Sequence, residues 1–124
     1  MDAKELMAGN YLYEVNSPYS NVDKKHRQII ICDDKTFSSV RSFPEAFEGI
    51  LLTKEWLDKL DFFWEGTRFT KRNPAKNGWN MAIYEIDGGF RWQADMFYHV
   101  KIKYVHQLQN LYFSLTGEYL KIIS

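Results

Sequence analysis

The chain has 124 residues, with 16 basic and 16 acidic side chains, a 45% hydrophobic fraction and a 17% aromatic one. That length suits one domain with a core that needs no staples, and the balanced charge excludes a polybasic coat, a strongly acidic nucleic-acid mimic and a disordered polyelectrolyte. The single cysteine, Cys32, excludes an internal disulfide framework and fits a reducing cytoplasm. No apolar run reaches the roughly 18 residues of a bilayer span. The start, Met1-Asp2-Ala3-Lys4-Glu5, lacks the pattern of a signal peptide.

Charge is not evenly spread. Residues 1–62 carry 8 basic and 11 acidic groups, whereas residues 63–124 carry 8 and 5. Most of the positive surplus sits between Glu65 and Asn80, the pattern of a local anion-attracting loop or of scattered solvated charges.

In chain order, Tyr11-Leu12-Tyr13-Glu14-Val15 alternates with period two after a Gly9-Asn10 turn and predicts a strand. Residues 16–27 are polar and read as an exposed loop. The β-branched run Gln28-Ile29-Ile30-Ile31-Cys32 predicts a central strand covered on both sides. Asp33-Asp34-Lys35 breaks it, and residues 38–49 read as irregular, with Phe43 and Phe47 tucked in. Thr53 is a good N-cap for a short helix to Leu60, with Trp56, Leu57 and Leu60 on one face.

The aromatic stretch from Phe62 to Phe69, interrupted by Gly66, returns to strand patterning, and residues 70–78 are a loop. Trp79 to Ile86 and Phe90 to Tyr98 predict an antiparallel hairpin around Asp87-Gly88-Gly89. A C-terminal helix over 104–116 places Tyr104, Val105, Leu108, Leu111, Tyr112 and Leu115 in one arc, and Gly117 stops it. Tyr119 to Ile123 reads as a last short strand. The fold class expected is α+β: a single domain over 1–124, mainly an antiparallel twisted sheet, with the C-terminal helix on one face. The short central helix closes one end, and the strands at 11–15 and 28–32 form a small barrel-like subsheet. The expected core is Tyr11, Tyr13, Ile29, Ile31, Leu52, Trp56, Leu60, Ile83, Trp92, Leu108, Leu111 and Leu115.

Three segments, Glu5 to Tyr11, Ile50 to Leu57 and His99 to Leu120, together resemble an uncharacterised family of small proteins of gut-bacterial phages, prophages and mobile elements. The most specific stretch is Val100 to Glu118. The resemblance implies a shared scaffold and a genomic context, and it carries no activity onto any position.

Two constellations stand out as candidate sites. On the predicted C-terminal helix, His106, Gln109, Asn110 and Phe113 lie opposite the apolar arc. Either a neighbouring segment covers Phe113, or this face is a contact surface with an aromatic anchor and polar rim. The segment Arg68, Lys71, Arg72 and Lys76, with Phe69 and Trp79, interleaves cations and aromatics as phosphate and base binding requires. Its bland alternative is a solvated turn. No glycine-rich phosphate cradle accompanies it, because Gly88-Gly89 belongs to a hairpin.

His26, Cys32, His99 and His106 lack metal-ligand spacing, and Glu85 with Asp95 forms no more than an ordinary cross-hairpin carboxylate pair. No catalytic residue, metal or cofactor is therefore expected. The composition and the family resemblance together predict a non-enzymatic binding protein of a phage or mobile element, acting in the bacterial cytoplasm by occupying a partner protein's surface or by self-association. The alternative is a nucleic-acid or nucleotide binder using residues 68–79, and a small hydrolase ranks below both. No membrane partner is expected.

Overall fold

A computed structural model describes residues 1–16, 26–77, 81–93 and 99–123, with Asn16, His26, Arg27 and His99 described by their backbone alone. The fold class is α+β: two antiparallel sheets of three and five strands, with helices. The chain gathers into two units, Met1–Ile50 and Leu51–Ser124.

In the first unit, the alternation of Tyr11 to Val15 forms β1 (Tyr11–Asn16), which pairs with β2 (His26–Ile31) and β3 (Phe47–Gly49) in the order β2-β1-β3. The pairing of β1 with residues 28–31 was legible in the sequence. The sheet is nevertheless open rather than barrel-like, and β2 lies at its edge, not its centre. Ile30 faces inward with Leu12, against a cluster of Leu6, Cys32, Val40 and Phe47. Ile29 and Ile31, expected in the core, are instead 44% and 60% exposed. A β-branched run fits an edge strand as well as a central one, because only one of its faces needs a cover.

A helix, α1 (Asp34–Ser42), replaces the turn expected at 33–35 and the first part of the segment 38–49 expected to be irregular. Asp33 caps it, its Oδ1 accepting from the Thr36 backbone N–H and hydroxyl, both at 2.9 Å. Of its residues only Val40 is buried, with Phe37 packed partly against the core, so its apolar stripe is too thin to show as a periodicity. The helix stops before Pro44, and Phe43 there points outward, 61% exposed. Phe47 is buried as expected.

The second unit opens on α2 (Lys54–Lys59), whose cap is Thr53: the Trp56 N–H donates to the Thr53 hydroxyl at 3.2 Å. Trp56, Leu57 and Leu60 are buried together, as their spacing requires. Replacing Thr53 by Ala removes that acceptor and is expected to lower the unfolding free energy by about 1 kcal/mol. Urea denaturation checks this, and an unchanged midpoint would refute it.

Strands β4 (Phe62–Trp64), β5 (Phe69–Lys71), β6 (Ala82–Ile86), β7 (Gly89–Gln93) and β8 (His99–Ile102) follow as an antiparallel meander in that order. Gly66, with φ +98°, turns β4 into β5. Asp87 and Gly88, at φ +53° and +76°, form the two-residue hairpin whose twist matches its strands. Ile83 and Trp92 sit opposite each other in this hairpin, both buried. The strand expected to run through Tyr98 is β7 to Gln93, and β8 is a separate strand returning against it; Trp79, Asp95 and the rest of 94–98 lie outside the described residues.

The C-terminal helix is α3 (Val105–Thr116), packed beside β8. The Gln107 side chain accepts from the N–H groups of Lys103 and Tyr104 at its start. At its end Gly117 adopts φ +74° and donates to the Phe113 carbonyl at 2.8 Å. The expected final strand is absent among the described residues. Residues 117–123 run instead as a strap, with Leu120 buried, its carbonyl accepting from Gln109 Nε2 at 3.0 Å. The Ile123 N–H donates to the Lys59 carbonyl at 2.8 Å. Bonds to two different helices hold this segment where a ladder was expected.

Candidate functional site

The helix face expected to meet a partner is largely interior. His106 is fully buried, its ring stacked on Tyr104 with centroids 5.5 Å apart, and Gln109 is buried against the strap. Asn110 and Phe113 are half-buried, and Phe113 packs on Tyr119 at 4.8 Å. The covering segment is thus residues 117–123, and the anchor and rim are not presented together. The buried arc is rotated from the one expected: it centres on Val105, Leu108, Gln109 and Tyr112, while Leu111 and Leu115 lie at its margin, half-buried. Periodicity assigns polar residues to water; here two of them face inward because the strap and Tyr104 meet them.

The basic segment is threaded with carboxylates. Arg68 meets Glu65 at 3.2 Å and the Tyr84 hydroxyl at 3.3 Å. Arg72 pairs with Asp58 at 2.8 Å. Lys71 pairs with Asp61 at 2.7 Å, with side chains 11% and 4% exposed. At Lys76 the backbone N–H donates to Glu118. Trp79 lies outside the described residues. Each of these three cations has an acidic partner within the chain, with Lys71 nearly buried and Arg68 and Arg72 partly exposed.

Asp61 is the hub of that network. It follows α2 in the left-handed region, at φ +75°, where a non-glycine residue is strained. Its Oδ2 accepts from Lys71 Nζ and from the N–H and amide of Asn73 at 3.1 and 3.0 Å. Burial pushes its carboxyl pKa upward, but the bonds from Lys71 and Asn73 outweigh burial and hold it below the ordinary carboxylate range.

Beside this hub opens a groove of about 400 Å³. Phe62 forms its floor, Phe63, Trp64 and Phe69 its aromatic wall, and Lys54, Asp58 and Arg72 its polar rim. Phe63 and Trp64 are 37% and 51% exposed, Trp64 resting on Phe69 at 4.9 Å. They stand on β4, an edge strand of its sheet. Sequence reasoning treated this stretch only as strand. The available signal was three consecutive aromatics, since a strand's alternation turns at least one of them away from any single core face.

Glu85, one of the two hairpin carboxylates, lies 3.7 Å from Lys54. Among the described residues no three His, Cys, Asp or Glu side chains come together as a metal-binding group. Cys32 is buried, and its thiol pKa is pushed up to about 11 by burial and by the neighbouring Asp33 charge. At about pH 8 it is therefore roughly a thousandth ionised. A thiol reagent is expected to label it only at the rate of unfolding, and rapid stoichiometric labelling of the native protein would contradict this.

Among the described residues no helix is long and apolar enough to cross a membrane. Comparison with protein-family models, with curated proteins and with solved structures returned no match.

Proposed function

We propose that the protein is a small non-enzymatic binding protein that docks an extended segment of a partner protein against β4. The observation that carries this is the exposure of two successive aromatics, Phe63 and Trp64, on an edge strand that borders a groove. An edge strand offers unpaired backbone groups for one more strand, and the groove offers a socket for a side chain of the incoming segment. Large aromatics with a polar rim are the residues that dominate binding energy at protein interfaces. The resemblance to proteins of phages and mobile elements adds a setting: action in the cytoplasm of a bacterial host, by occupying a partner's surface.

The test is affinity capture from a host lysate with wild-type protein and the Trp64→Lys variant in parallel. A protein held by the wild type and lost with a folded Trp64→Lys variant supports the proposal. Capture that is indifferent to this substitution, or no capture at all, overturns it. Nucleic acid is the rival occupant, since Lys54 and Arg72 border the same aromatics. Salt-dependent binding of a single-stranded oligonucleotide, weakened by replacing those cations, would install it instead.

A further inference from the structure

The β2 edge, far longer than β4 and in the other unit, has no role in that reading. Its even-numbered residues bond inward: the Cys32 N–H donates to the Asn10 carbonyl at 2.8 Å, and the Gly9 N–H to the Cys32 carbonyl at 2.9 Å. By the alternation of an antiparallel ladder, the backbone groups of Ile29 and Ile31 point away from β1, toward the edge that no described strand pairs with. Both side chains lie on one face, exposed by 44% and 60%. Neither proline nor a charged residue interrupts residues 28–31, although such edges are normally blunted by one or the other.

The charges flanking this strand identify what fits it. Arg27 precedes the isoleucines and Asp33 follows them, so the strand is basic at its start and acidic just past its end. An antiparallel copy centred on Ile30 puts Ile29 opposite Ile31, Ile31 opposite Ile29, and Arg27 opposite Asp33 at both ends. Only residues of the same parity meet, so outward-pointing backbone groups meet outward-pointing ones. A two-fold axis requires such self-complementarity, and four isoleucines then form one cross-strand cluster. β3, the opposite edge, has only three residues, with Phe47 buried, and offers no such strip.

We infer that the chain forms a two-fold dimer in which β2 pairs antiparallel with β2 of a second copy, joining two three-stranded sheets into one of six. Sedimentation equilibrium of the full chain is expected to give twice the 14.8 kDa of one chain. Ile29→Pro deletes an outward N–H without touching the ladder to β1, so it is expected to yield a folded monomer, with circular dichroism unchanged. Arg27→Glu places like charges opposite one another and is expected to weaken self-association by at least about tenfold. Asp33→Asn removes the charge and keeps an acceptor for the α1 cap. Mixed in equal amounts with Arg27→Glu, it removes the like-charge pairs and restores one opposite-charge pair, so the two are expected to form a heterodimer. A monomeric wild type, a dimer that survives Ile29→Pro, or an Arg27→Glu chain that stays monomeric when mixed with Asp33→Asn would each overturn the inference. None of these outcomes bears on the β4 surface.

Discussion

Asp61→Ala is expected to remove about 3–5 kcal/mol of unfolding free energy, because it leaves the Lys71 ammonium buried with its counter-charge gone. The pair is 2.7 Å apart and nearly excluded from solvent, so surface screening does not soften the loss. The same carboxylate also accepts from the Asn73 N–H and amide, and those bonds would be lost with it. Chemical denaturation of the variant measures the effect, and a loss below about 1 kcal/mol would show the pair to be no more than a surface bridge. Asp61→Gly separates two contributions: it loses the same bonds but relieves the left-handed backbone, so it should fall about 1 kcal/mol less far than the Ala variant.

The pH dependence has a definite sign. The folded carboxyl titrates below its unfolded value, so its contribution is complete above the unfolded carboxylate range, near pH ~4, and is lost as pH falls through the folded value. Asp61→Asn removes that titration. Its stability should therefore fall less steeply than the wild type's below about pH 4, and parallel acid limbs would refute the assignment.

Phe62→Ala is the second large effect, expected at about 3–5 kcal/mol. Phe62 is 1% exposed and is the floor on which the groove rests. Trp64, two residues on in the same strand, is half exposed, and its replacement by Ala should cost no more than about 1 kcal/mol. The contrast matters more than either number. Adjacent aromatics of similar chemistry would divide into one that holds the fold and one that is free to serve a ligand. Equal losses in paired denaturation curves would mean that Trp64 is structural, and the β4 surface would lose its anchor.

The parts of the fold legible in the sequence are those whose apolar residues recur at a fixed interval. α2 and α3 repeat buried side chains at the period of their own backbone, and the hairpin is marked by its Asp87-Gly88 turn between strands that pair Ile83 with Trp92. α1 was hidden because one buried valine and one partly buried phenylalanine make no stripe; the sign it does carry is the Asp33–Thr36 cap. Ile29 and Ile31 misled because composition reports affinity for a sheet, not a place within it. His106 and Gln109 misled in the opposite way, since a buried polar residue is invisible until its partner, here brought from residues 104 and 120, is known. The basic segment was visible as a run of cations, but the acids that answer it come from Asp58, Asp61 and Glu65 on the preceding elements.

The strap from Gly117 to Ile123 also sets an order of events during synthesis. Ile123 bonds to Lys59, 64 positions earlier, and Leu120 bonds to Gln109. The first unit closes its pairings within its first fifty residues and can fold while the remainder is still being made. In the second unit, by contrast, the end of α2 and the inner face of α3 each take a partner from residues 120–123, so neither is fully bonded until that segment has folded back over them.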